Sequence, residues 1–186
     1  MIKHGYGVQV WPDGAKYDGE WRDGKASGKG IFMHVNGDIY EGDFQDDKAN
    51  GTGVYKHKNG SVYEGGWKDD VKDGFGIEKW EDGAFYEGNF KDGKKHGHGT
   101  YQWSDRSNYS GTWVWNNIEG FGTYKWPDGR QYEGCWKDNK LHGKGQYTWP
   151  DGRSYDGFYV DDKKQGFGTY CWPDGRKYEG YWFDGK

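Results

Sequence analysis

Short runs in which rings and glycines alternate with charged residues recur along the whole chain. Lys16 to Trp21 places Tyr17, Gly19 and Trp21 on one face and Asp18 and Glu20 on the other. Gly143 to Trp149 likewise gathers Gly143, Gly145, Tyr147 and Trp149. A period of two, in short runs bounded by turn residues, predicts β-strands. The runs also keep phase. Tyr17 returns every 23 residues as Tyr40, Tyr63, Tyr86, Tyr109, Tyr132, Tyr155 and Tyr178, and the pair Gly5/Gly7 returns in step through Gly166/Gly168. A fixed period of this size defines a repeat array, each unit being stable only against its neighbours.

Two connections alternate between the strands. Trp149-Pro150-Asp151-Gly152 predicts a type I turn closed by a left-handed glycine. The other connection is a charged stretch of six residues such as Lys137 to His142, expected as an exposed loop. The expected fold is all-β: an elongated, twisted single-layer antiparallel meander of stacked hairpins with about sixteen strands, roughly 70 Å long at the usual strand spacing. The turns set a register. Tyr147 should face Tyr155 and Gly145 should face Gly157; across the longer loop, Trp136 should face Gly143, Gly134 should face Gly145 and Tyr132 should face Tyr147. Four rows of side chains then share one face. An all-glycine row makes the floor of a trough, with a row alternating glycine with a large ring beside it. A tyrosine row and a row of Trp or His complete the ridges. Rings lying over glycine would stand in for the missing aliphatic core.

Composition agrees with this core and excludes several classes. Hydrophobic residues are only 32%, whereas aromatics reach 20% and there are 35 glycines. Disordered chains are poor in aromatics and have no reason to keep them in phase. The net charge is −4 with both signs interspersed, so no basic tract points to nucleic acid. No apolar run is long enough to span a bilayer. Cys135 and Cys171, three strands apart, are about 14 Å from each other by strand spacing, too far for a disulfide. The expected setting is the cytoplasm.

The phrase Tyr132-Glu133-Gly134-Cys135-Trp136 and the Gly-x-Gly phrase after it, repeated in all eight units, resemble the MORN repeat (membrane occupation and recognition nexus). The resemblance covers residues 1–186 as one array that starts and stops within a unit. It implies a β rod that scaffolds proteins, sits on the cytoskeleton or tethers membranes, with no shared reaction. The array is expected to be a fragment of a longer one or to form a homodimer through its ends.

No catalytic constellation emerges. His96, His98 and His142 read as solvated loop histidines rather than metal ligands. Gly24 to Gly30 has the wrong glycine spacing for a phosphate loop, and Asp69-Asp70 and Asp161-Asp162 lack the calcium-loop pattern. No cofactor and no enzyme activity are expected. The leading reading is a scaffold whose trough holds a partner helix or extended peptide with apolar anchors. The ridge residues proposed to grip it are Tyr101, Trp103, Tyr124, Trp126, Tyr147, Trp149, Tyr170 and Trp172, with Arg130, Arg153 and Arg176 over the last three indoles. Towards the N-terminus His34, His57 and Glu78 interrupt the ridges. Phospholipid binding is the alternative, weakened by the lack of clustered Lys and Arg; a targeting segment of a larger enzyme is a third. Arg106 in place of a turn glycine predicts a looser turn over residues 105–108. Beside it, Trp115 and Ile118 form a candidate second docking point, unless they only cover that turn. On the opposite face Val8, Val10, Ile31, Met33, Val54, Phe75 and Ile77 cluster in the N-terminal half, either as an interface or as packing across strands.

Overall fold

The computed structural model describes residues 2–186. It is all-β: sixteen antiparallel strands lie in one open sheet in the order of the sequence, and no described residue is helical. Contacts divide the chain into two units, Met1–Lys94 and Lys95–Lys186. The first holds β1 (Gly5–Val10), β2 (Lys16–Arg22), β3 (Lys25–Met33), β4 (Ile39–Gln45), β5 (Lys48–Lys56), β6 (Val62–Lys68), β7 (Val71–Lys79) and β8 (Phe85–Lys91). The second holds β9 (Lys94–Gln102), β10 (Asn108–Val114), β11 (Asn117–Lys125), β12 (Gln131–Lys137), β13 (Lys140–Thr148), β14 (Ser154–Val160), β15 (Lys163–Cys171) and β16 (Lys177–Trp182).

The Trp-Pro-Asp-Gly turns form as expected. Gly152 N–H donates to the Trp149 carbonyl at 3.1 Å, Trp149 N–H donates to the Arg153 carbonyl at 3.0 Å, and Gly152 has φ +90°. The turn at Arg106 is not looser. Arg106 N–H donates to Trp103 at 3.0 Å, Trp103 N–H donates to Ser107 at 2.9 Å, and Arg106 takes φ +71°. Ser107, buried at 2% exposure, clamps the turn through two hydrogen bonds to the Asp105 carboxylate. Arginine thus bears the left-handed conformation that glycine takes elsewhere. Relieving it should help: Arg106→Gly is expected to stabilise the second unit by about 1 kcal/mol, read as a higher denaturant midpoint with unchanged slope.

The six-residue loop does not exist. Lys137 pairs with Lys140, leaving a two-residue turn in which Asp138 and Asn139 have φ +48° and +64°. Both central residues at positive φ make a type I′ turn, which Asp and Asn tolerate better than most side chains and whose twist matches the strands. The strands are longer than expected, and a bulge absorbs the difference. Gly134 faces Gly145, Tyr132 faces Tyr147, and on the other hairpin Gly145 faces Gly157, all as expected, but Trp136 faces Leu141 rather than Gly143. A shift of two residues keeps every side chain on its face. It changes only which neighbour the ring meets.

Each I′ turn also docks on the preceding hairpin. The Asn139 side chain accepts from Ile118 N–H at 2.8 Å while its own N–H donates to the Ile118 carbonyl at 3.1 Å. Asp162 does the same to Leu141, and in the first unit Asp70 does so to Ala49. The acidic or amide residue at this turn position is therefore a rung between neighbouring repeats, not solvated charge.

Within each unit a layer of tyrosines is the core. Tyr17 and Tyr40 in the first unit and Tyr109, Tyr132 and Tyr155 in the second are at most 3% exposed. Tyr132 lies across the glycine row: its hydroxyl is 2.6 Å from where a Cβ on Gly134 would be and 2.3 Å from one on Gly145. It meets Trp136 and Tyr159 edge-on at 5.2 and 5.5 Å, a favoured aromatic geometry. Its hydroxyl donates to the Cys135 carbonyl, at the bulge, at 2.9 Å. The expected open, glycine-floored trough is thus filled by tyrosine. The ring row instead covers Ala26 and Ala49 in the first unit and Ile118 and Leu141 in the second, all buried. No helix among the described residues is long and apolar enough to cross a membrane.

Candidate functional site

With the floor closed, the ring face of the second unit carries a stack of eight rings, six of them half-buried and two, Tyr147 and Tyr170, buried. The short turns bring the end of each odd strand beside the tyrosine of the next odd strand. Tyr101 meets Trp103 at 4.6 Å, and Trp103 meets Tyr124 at 5.3 Å. Tyr124 meets Trp126 at 4.5 Å, Trp126 meets Tyr147 at 5.2 Å, and Tyr147 meets Trp149 at 4.4 Å. Trp149 meets Tyr170 at 5.7 Å, and Tyr170 meets Trp172 at 4.7 Å. All eight residues expected as a ridge are brought together, without a gap. The four tryptophans are half-buried, so each still shows an edge.

The arginines cap the stack as expected. Arg130, Arg153 and Arg176 lie 5.3, 5.4 and 5.5 Å from the centres of Trp126, Trp149 and Trp172. Each is held by the aspartate of its own turn at 2.7 Å. Arg130 also donates to the Tyr147 hydroxyl at 3.2 Å. Burial pushes the Tyr147 phenol above its ordinary value, and Arg130 opposes that shift.

The place of Lys164 among the rings was not expected from sequence. Its ammonium sits 4.5–5.6 Å from the centres of Trp182, Tyr170, Tyr155 and Trp149. Burial, and then Arg153, push its pKa down. A signal existed: Lys164 holds the repeat position of the buried Ala26, Ala49, Ile118 and Leu141, where a side chain must turn towards the rings. The second docking point does not form as a pair. Trp115 is 44% exposed and stacks on His96 at 4.3 Å, whereas Ile118 is buried at 6% beneath the ring row.

The first unit carries a shorter, mixed stack, Trp11–Phe32–His34–Tyr55–His57, with adjacent contacts of 4.6–5.7 Å. It stops at Glu78, which pairs with Lys72 at 2.5 Å, so the expected N-terminal weakening of the ridge holds. Tyr55 donates to Asp38 at 2.9 Å. The Lys58 N–H and the Tyr55 hydroxyl hold that carboxyl down at about 2. Among the described residues, no group of three or more His, Cys, Asp or Glu is placed to hold a metal ion, and both cysteines are free.

The MORN repeat family matches residues 2–16, 17–39, 40–62, 63–85, 86–107, 109–129, 132–152 and 155–175. No curated protein matches the chain. Among solved structures, the TCP10 domain of Danio rerio CPAP is similar at TM-score 0.52 and 15% identity, over 94% of this chain and 82% of that one. The SAS-4 (dCPAP) TCP domain of Drosophila melanogaster, solved in complex with a proline-rich motif of Ana2 (dSTIL), is similar at TM-score 0.50 and 12% identity, over 85% and 87%. At such identities these likenesses speak to the fold.

Proposed function

The chain belongs to the MORN repeat family, and from that premise we propose that it is a non-enzymatic interaction scaffold that grips a partner peptide or helix along the ring stack of its second unit. The observation behind this reading is the unbroken run from Tyr101 to Trp172, in which the four tryptophans are half-buried and show an edge while Tyr147 and Tyr170 are buried between them. Rigid aromatic edges offer contact area at small entropic cost. Stacked arginines make the rim polar, the usual anatomy of a binding surface. No enzyme family is indicated by the family match.

The test is the double variant Tyr147→Ala with Trp149→Ala, which removes the middle of the stack. Proteins captured by the wild-type chain and not by the variant would be identified, and a peptide from the captured partner titrated against both. Loss of two central aromatic anchors is expected to weaken binding by about thirtyfold or more. Equal affinity in a variant that keeps its sheet by circular dichroism would refute the stack as the site.

A further inference from the structure

The first unit has a second surface, on the face away from the rings. There a single row of side chains crosses the strands through paired positions: Asp18, Ile31, Glu41, Val54, Glu64 and Ile77. Carboxylate and aliphatic residue alternate at every step. These six line a groove of about 1100 Å³. The second unit does not repeat it: the equivalent row there runs Thr100, Ser110, Thr123, Glu133 and Gln146, with no aliphatic member.

The groove's charge is one-sided. Its one lysine, Lys29, is taken by Asp43 at 2.6 Å, and Asp18 is engaged by Lys16 and by the Tyr6 hydroxyl. Glu41 and Glu64 are exposed and make no ion pair among the described residues. The carboxylate belongs to the repeat and recurs at Glu133, but only in the first unit does it alternate with bare aliphatic side chains, and there Glu41 and Glu64 are left without a cationic partner among the described residues. Placed there, they favour an occupant that brings its own cations.

The strand spacing says how those cations should be arranged. Glu41 on β4 and Glu64 on β6 are two strands apart, about 9.6 Å at the usual spacing. A polyproline-II chain repeats every third residue, at about 9.3 Å. A β-strand would turn every third residue to the opposite side. We propose that this groove binds a basic peptide segment in polyproline-II conformation, with Lys or Arg at every third position meeting Glu41 and Glu64 and apolar residues between them resting on Ile31, Val54 and Ile77. The segment runs across the strands. The site shares no residue with the ring stack.

The probe is a fluorescent peptide of about twelve residues built of Lys-Pro-Val triplets, a composition that favours polyproline II. Its comparator has the same composition with the lysines contiguous. Anisotropy titrations at low salt would use the wild-type chain, Glu41→Gln with Glu64→Gln, and Tyr147→Ala with Trp149→Ala. The triplet peptide is expected to bind the wild type, and to bind the glutamine variant about tenfold more weakly for loss of two exposed ion pairs. The comparator is expected to bind less tightly than the triplet peptide, and the ring-stack variant should bind as the wild type does. No measurable binding, equal binding by the glutamine variant, equal binding of both peptides, or loss of binding in the ring-stack variant would each overturn the proposal.

Discussion

Gly145→Ala is expected to destabilise the hairpins of the second unit by about 3–5 kcal/mol, the range for expelling a buried aromatic ring. A Cβ there would lie 2.3–2.5 Å from the hydroxyl and two ring carbons of Tyr132. That ring cannot yield sideways, because Trp136 and Tyr159 hold it on both flanks and its hydroxyl is tied to the Cys135 carbonyl. The tyrosine must leave, and its burial goes with it. Gly7 is the internal control. It belongs to the same glycine row, facing Gly19, but its Cβ would meet only the Trp21 ring at 3.4 Å, an ordinary contact. Gly7→Ala should cost no more than about 1 kcal/mol, the usual propensity scale for a strand substitution. Hydrogen exchange resolved by hairpin is the suitable measurement, since repeat arrays open locally. Equal effects of the two substitutions would remove tyrosine-over-glycine packing as the basis of the fold.

Alkaline pH should unfold the protein in a concerted step. Burial raises the phenol of Tyr17 to about 12, with Glu20 adding to the shift. Burial likewise pushes up Tyr40, Tyr63, Tyr86, Tyr109 and Tyr132. An unfolded tyrosine titrates near 10. The folded state therefore holds these protons more tightly than the unfolded chain. Their contribution is fully present below about pH 10 and is lost as pH climbs from there through the folded values. The chemistry agrees with the sign, because a phenolate cannot donate to the bulge carbonyls that these hydroxyls satisfy, such as Glu20 for Tyr17. Tyrosinate absorbance and far-ultraviolet circular dichroism followed together should show a delayed set of tyrosines ionising as the sheet is lost. Smooth titration of every tyrosine near pH 10 with the sheet intact would sink this account.

The candidate site was largely legible before the fold. Alternation put Tyr147 and Trp149 on one face, and the three-residue turns put Trp149 near Arg153; both depend on residues close in sequence, and both hold. What was not legible shares one cause. Asp138-Asn139 closes a tighter turn than the charged stretch suggested, and the bulge after it moves the pairing of Trp136 from Gly143 to Leu141. A two-residue shift leaves the alternation pattern unchanged, so no count of polar and apolar positions can detect it. From that shift follow the burial of Ile118, the ring-bound ammonium of Lys164 and the freedom of Tyr132 to lie over the glycine row.

The order of side chains by itself determined that this protein is a repeat array, that its strands are antiparallel neighbours, and which rings share a face. Those properties come from backbone alternation and turn chemistry, which act within a few residues. Only the assembled sheet decided which ring covers which glycine, where the accessible aromatic edge of the second unit runs, and that the first unit carries a carboxylate-lined groove on the face away from its own rings. Those depend on contacts between side chains on neighbouring strands, where steric fit chooses among arrangements that local pattern treats as equal.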